Sequence, residues 1–414
     1  MIDDIKTPDR PQRSPSNESL RTVPPSDDSP NYPLDAQGII STSLGHQTEL
    51  DTKKGIKKHW FKKLGRRSKL AIICLFVVLM AGGGAGAFWF FNRGEPAGAP
   101  TSQTSKPAAK PPPPTTVASP LTGLQISPEL AARPVTGIII ENSLAARPQS
   151  GLRDAGAVFE AIAEGGITRF LALFQEAQPQ YVGPVRSLRP YYLDWLVPFD
   201  ASIAHVGGSP QALSQVRTGL KDLDQFFNSS SYWRQNTRPA PHNVYTSFAK
   251  MDSLNKKKGY SSSKVQSWPR KPELKLATPL AKTININVSG ALYKVHYDYD
   301  LPTNTYLRSE GGKPHTDTVS ATDKAPQQLR PKVVVVLIMK RSIIDSRGHN
   351  GYTTNGSGSL LIFQDGGVST GTWSKSSRDS QFVFNDPAEK ALTLNAGQIW
   401  VTMAQAVSAV TYAP

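Results

Sequence analysis

The chain has 414 residues, with 47 Lys and Arg against 32 Asp and Glu, a formal net charge of +15, 34 prolines and one cysteine. That length accommodates about two to three domains of roughly 100–200 residues each, and a hydrophobic content of 38% is too high for a wholly disordered chain. The single cysteine excludes an intramolecular disulfide framework, a cysteine-based zinc site and an iron–sulfur cluster.

Residues 1–69 are rich in Pro, Ser, Asp and Asn with little apolar periodicity. Their burial cannot offset chain entropy, so they read as a disordered, basic cytoplasmic tail. Its end carries nine cations in seventeen residues, Lys53 to Lys69. Leu70–Phe91 follows, twenty-two residues without a charge. As a helix it spans about 33 Å against a hydrocarbon core of about 30 Å, and it closes on the interfacial aromatics Phe88–Phe91. It is expected to be a single transmembrane helix, and the cations on its N-terminal flank place that end in the cytoplasm. Ala85-Gly86-Ala87 has the form of a signal-peptidase site. The aromatic run after it and the long tail before it favour an uncleaved anchor, and Ile72-Ile73 before Cys74 does not make a lipobox. Residues 92–120, with Pro111–Pro114 in a row, predict an extended stalk.

Residues 121–414 remain for globular structure, expected as α+β: a mixed α/β domain over 121–255, a linker over 256–282 and a β-rich domain over 283–414. In chain order, Val135–Ile140 predicts a strand. Val158–Phe174 predicts two segments divided by Gly165-Gly166, and Pro190–Val197 and Pro210–Leu220 predict helices. Residues 256–282 are polar, basic and broken by proline. Beyond them, alternation at Ile284, Ile286 and Val288 and at Tyr293, Val295 and Tyr297 predicts strands, and Val333–Ile338 predicts a central strand buried on both faces. Gly356-Ser357-Gly358 and Gly366-Gly367 read as turns, and Trp373 and Trp400 as core or edge aromatics.

Residues 92–414 carry 34 Lys and Arg against 23 Asp and Glu. A basic ectodomain suits anionic partners such as wall polymers, headgroups or acidic proteins. The expected topology places it outside the cell, so no nucleic-acid partner is expected. His205-Val206-Gly207-Gly208-Ser209-Pro210 has a Ser N-cap and Pro at the first helical position. The glycines before them either offer backbone N–H groups to an anion at the helix start or merely let the helix pack on its strand. Arg186 and Arg189 flank Ser187 nearby, and their guanidinium forks suit carboxylate or phosphate, or ion pairs with Asp194 or Glu164. Arg147, Glu164 and Arg169 supply further polar groups near strand ends. The candidate ligand-binding set is therefore Arg147, Glu164, Arg169, Arg186, Arg189, His205, Gly207, Gly208 and Ser209.

A catalytic alternative uses Glu160 and Glu164 as the carboxyl pair of a glycan hydrolase, with His205 or His242 assisting. His315 and Asp317 resemble two metal ligands, but no third stands at a recognisable spacing, so no metal is expected. Phosphate-loop, dinucleotide, zinc-protease and catalytic-cysteine motifs are missing, and no cofactor is expected.

Several uncommon motifs occur in order: Glu141-Asn142-Ser143, Ala146-Arg147-Pro148-Gln149-Ser150-Gly151, Ala163-Glu164-Gly165-Gly166-Ile167-Thr168-Arg169-Phe170, Gly183-Pro184-Val185-Arg186-Ser187-Leu188-Arg189-Pro190, His205–Ser209 and Ala240-Pro241-His242-Asn243. Gly312-Lys313-Pro314-His315-Thr316-Asp317 and Gly371-Thr372-Trp373-Ser374-Lys375 follow. Over about residues 121–414 the chain resembles the bacterial YerB-like family, envelope proteins with an N-terminal and a C-terminal domain of unknown function. The resemblance implies an extracytoplasmic protein with an α/β and a β-rich part, and it supplies no reaction. The chain is thus expected to be a single-pass protein of the bacterial cell membrane, C-terminal domains outside. It is expected to bind anionic cell-wall polymer or peptidoglycan, or a wall-synthesis protein. A peptidoglycan-acting hydrolase or transferase and a non-catalytic scaffold are the alternatives.

Overall fold

The computed structural model describes residues 115–414. The expected tail, the transmembrane helix at 70–91 and most of the stalk lie outside them. Among the described residues no helix is long and apolar enough to cross a membrane.

The chain is of mixed α and β type, with many strands and few helices. The first half contributes strands β1 (Thr136–Glu141), β2 (Ala157–Ile162) and β3 (Thr168–Phe174), then helix α1 (Pro190–Leu196), strand β4 (Ser202–Ala204), helix α2 (Pro210–Arg217), strand β5 (Lys221–Asp222) and helix α3 (Phe248–Lys258). The second half contributes β6 (Thr283–Asn287), β7 (Lys294–Asp300), β8 (Thr305–Glu310), β9 (Lys313–Pro314) and β10 (Val333–Ile338). It continues with β11 (Gly356–Gln364), β12 (Gly367–Lys375), β13 (Val383–Asn385), β14 (Ile399–Ala404) and β15 (Val410–Ala413).

The two halves share one ten-stranded sheet, in the order β13-β12-β11-β10-β14-β2-β3-β1-β4-β5. The join is parallel: β14 pairs with β10 on one side and with β2 on the other, placing Trp400 opposite both Val334 and Val158. β3 runs antiparallel between β2 and β1, and β1, β4 and β5 are parallel. Hence β10, β14, β2, β1, β4 and β5 all point one way, and their carboxyl ends gather at one end of the sheet. A second sheet, β9-β8-β7-β6-β15, packs on the C-terminal part.

β10 shows why both faces had to be apolar. Val333, Val335 and Leu337 enter a core with Phe159, Trp195 and Trp373, whereas Val334 and Val336 enter another with Ile284, Val295 and Tyr297 between the two sheets. Burying such a valine is worth about 1.5–3 kcal/mol, so a strand buried on both sides admits no polar alternation.

Residues 256–282 do not hang free. Trp268 is buried against Phe159, Phe199 and Phe384, and Arg270–Lys271 pairs in parallel with Leu394–Asn395. Two local expectations change. Gly356-Ser357-Gly358 opens a nine-residue strand instead of a turn. A Cβ on Gly358 would sit 2.5 Å from the Ile338 carbonyl and 2.7 Å from Trp373 Nε1, so its absence lets the indole cross the strand and donate to that carbonyl (2.9 Å). Helix α2 stops at Arg217, short of Leu220, where the chain turns through Gly219 at φ +104°. Gly366 does turn, in the two-residue hairpin Asp365-Gly366, both residues at positive φ.

Candidate functional site

The end of the sheet where the parallel strands finish collects most of the residues singled out from the sequence. Glu141 ends β1, Glu164 follows β2, Arg169 lies in β3 opposite Glu141, and His205 follows β4. The segment 185–188 crosses between them: Arg186 N–H donates to Ile139, Val206 N–H donates to the Arg186 carbonyl (3.1 Å), and Leu188 N–H donates to Gly207 (3.0 Å). The carboxyl edge of parallel strands is where open α/β sheets leave a crevice for ligands.

The arginines are not equivalent. Arg189 is buried, its Nε on Glu164 and its Nη1 donating to the Leu188 carbonyl (2.7 Å). Arg169 is buried too, donating to the Ser187 carbonyl (2.7 Å) and lying 3.5 Å from Glu164. Burial pushes the Glu164 carboxyl up, but the hydrogen bond from Arg189 and the charges of Arg169 and Arg189 outweigh it and hold the group below its ordinary value. Arg147 reaches Glu310 (3.2 Å), donates to Asn142 Oδ1 (3.0 Å) and the Leu292 carbonyl (3.1 Å), and stacks over Tyr293. Arg186 differs: it is partly exposed, its one ionic contact is Nε to Glu141 at 3.6 Å, and no protein acceptor among the described residues hydrogen-bonds its guanidinium.

Around Glu141 the chain brings together residues far apart in sequence. His242 Nδ1 and Ser143 Oγ each lie 2.9 Å from Glu141 Oε1, and they stand 3.3 Å from one another. The other oxygen, Oε2, is buried without a partner. This cluster of Glu141, Ser143, Arg186 and His242 is the candidate site. Its members carry the EN-S, VRS and PHN motifs, but only the fold joins them.

The glycine loop beside it is largely committed to the protein. Gly207 N–H donates to Asp224 (3.1 Å), Ser209 N–H donates to the Leu188 carbonyl (3.2 Å), and Ser209 Oγ caps α2 by accepting from Ala212. Gly207 sits at φ +57° with Phe226 lying where a side chain would go, and Gly208 pairs with Leu188. His205 is fully buried, its nitrogens on the Gly207 carbonyl (2.8 Å) and Asp222 (3.0 Å). These positions therefore do the packing work that was the alternative to an anion cradle.

The carboxyl pair of the hydrolase alternative is not assembled either. Glu160 is fully buried and accepts from Arg308 (2.9 and 3.1 Å), Trp400 (3.0 Å) and Thr168 (3.2 Å), whereas Glu164 is held ionised by two arginines. His315 accepts from Arg308 Nε at Nδ1 and faces Gln149 at Nε2 (both 2.9 Å). Asp317 accepts the N–H groups of Gly151 (3.2 Å) and Leu152 (2.9 Å). Both are structural, and among the described residues no group of three His, Cys, Asp or Glu stands ready for a metal ion. Burial lowers the His315 imidazole far below its ordinary value, with help from Arg308, and raises the Glu310 and Asp317 carboxyls to about 7.

Sequence reading missed Glu141 and Ser143 as site members. The signals were their place at a strand end and the Glu141-Asn142-Ser143 motif, neither of which names a chemistry until His242 and Arg186 arrive. It also missed Arg308, whose sequence context is an ordinary alternating strand.

A cavity of about 240 Å³ opens between the halves, lined by Pro148, Tyr181, Arg238, Tyr245, Thr318 and Ser320 among others and by no member of the cluster itself.

Comparison with known proteins follows the same two halves. The models described as Protein of unknown function (DUF3048) N-terminal domain and C-terminal domain match residues 121–261 and 284–401. A protein of Bacillus subtilis (strain 168) described as "Putative lipoprotein YerB" is 34% identical over 263 residues, covering 62% of this chain and 77% of that protein. The crystal structure of the YerB protein from Bacillus subtilis superposes with a TM-score of 0.63 at 30% identity, covering 72% of this chain and 100% of the other. With both family models matched in order and a relative of this identity covered over more than two thirds of its length, the chain belongs to the YerB-like family of proteins of unknown function, DUF3048.

Proposed function

We propose that the protein is a membrane-anchored, extracytoplasmic envelope protein that binds anionic cell-wall polymer at the carboxyl ends of its parallel strands, with Arg186 as the principal contact. The observation that carries this reading is the Arg186 guanidinium, the one arginine of the candidate set left with its donors open beside His242 and Glu141. A guanidinium in that state binds carboxylate or phosphate with two parallel hydrogen bonds. The excess of 34 cationic over 23 anionic residues beyond residue 91 supports it, as does the lipoprotein description of the Bacillus relative. Leu70–Phe91 serves as the anchor, with the basic flank inside. The test is co-sedimentation of the full-length protein in detergent with isolated walls across a salt series. Binding that weakens with salt and falls at least tenfold in Arg186→Ala is expected; binding indifferent to both would refute the reading.

A second reading rests on His242. Its Nδ1 is oriented by Glu141, and no protein group among the described residues hydrogen-bonds its Nε2, the arrangement of a general base. Under a peptidoglycan-hydrolase reading His242 and Glu141, not Glu160 and Glu164, do the work. Wall fragments released by the native protein and absent with His242→Ala would support it.

A further inference from the structure

We propose that the cavity between the halves binds one anionic sugar unit, a polyhydroxylated ring bearing a carboxylate or a phosphate. The proposal rests on the wall-polymer reading above and names the unit of polymer that the site holds. Five observations support it. The volume, about 240 Å³, suits a single six-membered ring and its substituents. Tyr181, half-buried, lines it stacked on the buried Tyr245, centroids 4.4 Å apart and 11° from parallel, with Trp233 6.1 and 6.5 Å from the two rings, and a tyrosine so backed presents a flat, amphipathic face.

Arg238 lines it as well. Its guanidinium donates only to the Ala145 (3.1 Å) and Pro148 (2.6 Å) carbonyls. Those bonds fix its position and leave its charge uncompensated, because among the described residues no carboxylate lies within ion-pair distance of it. The acidic residue of the lining, Asp323, is turned to its own loop, accepting from Val319 (3.1 Å) and Ala325 (2.9 Å). Thr237 and Ser320 add hydroxyls, whereas that of Thr318 is taken by Ser150 and the Gln149 carbonyl. Finally, Arg238 of the lining and His242 of the Arg186 cluster belong to the one loop between Trp233–Arg234 and Val244–Tyr245, which links the two places. A polymer lying across both would place one ring on Tyr181 and a neighbouring charge on Arg186.

The experiment is calorimetric titration of the full-length protein in detergent with glucuronate, glucose 6-phosphate, glucose and inorganic phosphate, with wall co-sedimentation in parallel. Both anionic sugars are expected to bind at least tenfold more tightly than glucose or phosphate. Ala321→Trp, which fills the mouth from an exposed turn without removing a hydrogen bond, should abolish that binding, and Arg238→Gln should weaken it at least tenfold. Phosphate binding as tightly as glucose 6-phosphate, or no sugar binding at all, would overturn the proposal. If walls bind native protein and Ala321→Trp alike but not Arg186→Ala, the cavity fails and the Arg186 reading stands. If the sugars bind and Ala321→Trp loses them while walls do not bind, the cavity stands and the Arg186 reading fails.

Discussion

Arg308 and Glu160 meet through two hydrogen bonds, at 2.9 and 3.1 Å, with both side chains fully buried and 148 positions apart in the sequence. Arg308 comes from β8 of the second sheet and Glu160 from β2 of the first. The guanidinium also lies 4.4 Å from the Trp400 ring and donates to the Tyr297 hydroxyl (2.8 Å). The pair is therefore a fully satisfied ionic rivet between the two segments matched by the family models.

Removing one member strands a buried charge, which costs about 3–5 kcal/mol. Arg308→Ala and Glu160→Ala should each lower urea stability by about that much, and the double variant by much less than the sum. Additive losses in the double-mutant cycle would show that the two groups act independently.

Glu310 beside this pair has its carboxyl raised to about 7, chiefly by burial, against the pull of Arg308. A raised carboxyl means that the folded state holds its proton more tightly than the unfolded state, so this contribution is complete below pH 4.5 and is lost as pH rises through about 7. Asp317 acts in the same direction, and the lowered His315 acts in the opposite one below pH 6.5. Comparison with Glu310→Gln isolates the one group. The stability difference should move in favour of the variant between pH 5 and pH 8, by on the order of 2 kcal/mol. Urea unfolding at three pH values reads it, and parallel profiles would contradict the assignment.

Arg186 and Arg189, three residues apart, should separate stability from binding. Arg189→Ala removes a buried donor from Glu164 and from the Leu188 carbonyl, and should cost about 2–4 kcal/mol. Arg186→Ala removes a partly exposed side chain with one long ionic contact, and should cost under about 1 kcal/mol while abolishing wall binding. Thermal unfolding alongside co-sedimentation distinguishes them, and equal stability losses would count against the structural division.

Gly207 at φ +57° carries Phe226 where a Cβ would lie 3.1 Å from the ring. Gly207→Ala should destabilise by about 1–2 kcal/mol through the left-handed backbone alone, and Gly207→Val by more. An unchanged melting temperature for both would mean that the loop relaxes freely.

Much of the architecture was legible because single strong signals governed it. The uninterrupted aliphatic run of β10, the Gly165-Gly166 break between β2 and β3, and the Ser209-Pro210 start of α2 each follow from local chemistry. The sharing of one sheet was not legible. Nothing in Ile399–Ala404 says that its neighbours are Val333–Ile338 on one side and Ala157–Ile162 on the other, since parallel pairing across some 240 residues leaves no periodic trace. The candidate site shows the same limit. Guanidinium and imidazole groups were recognisable as chemistry, but whether an arginine is sealed by Glu164 or left open beside Glu141 depends on packing around strand ends.

The place of β14 bears on when the protein can fold. It is the last of the ten strands in chain order and sits between β10 and β2. Until residues 399–404 arrive, β2 and β10 both present bare edges, the form most prone to pairing with a stranger. Completion of the sheet therefore waits for the last of its ten strands to be made. Whatever guards those two edges in the meantime acts on a nearly complete chain.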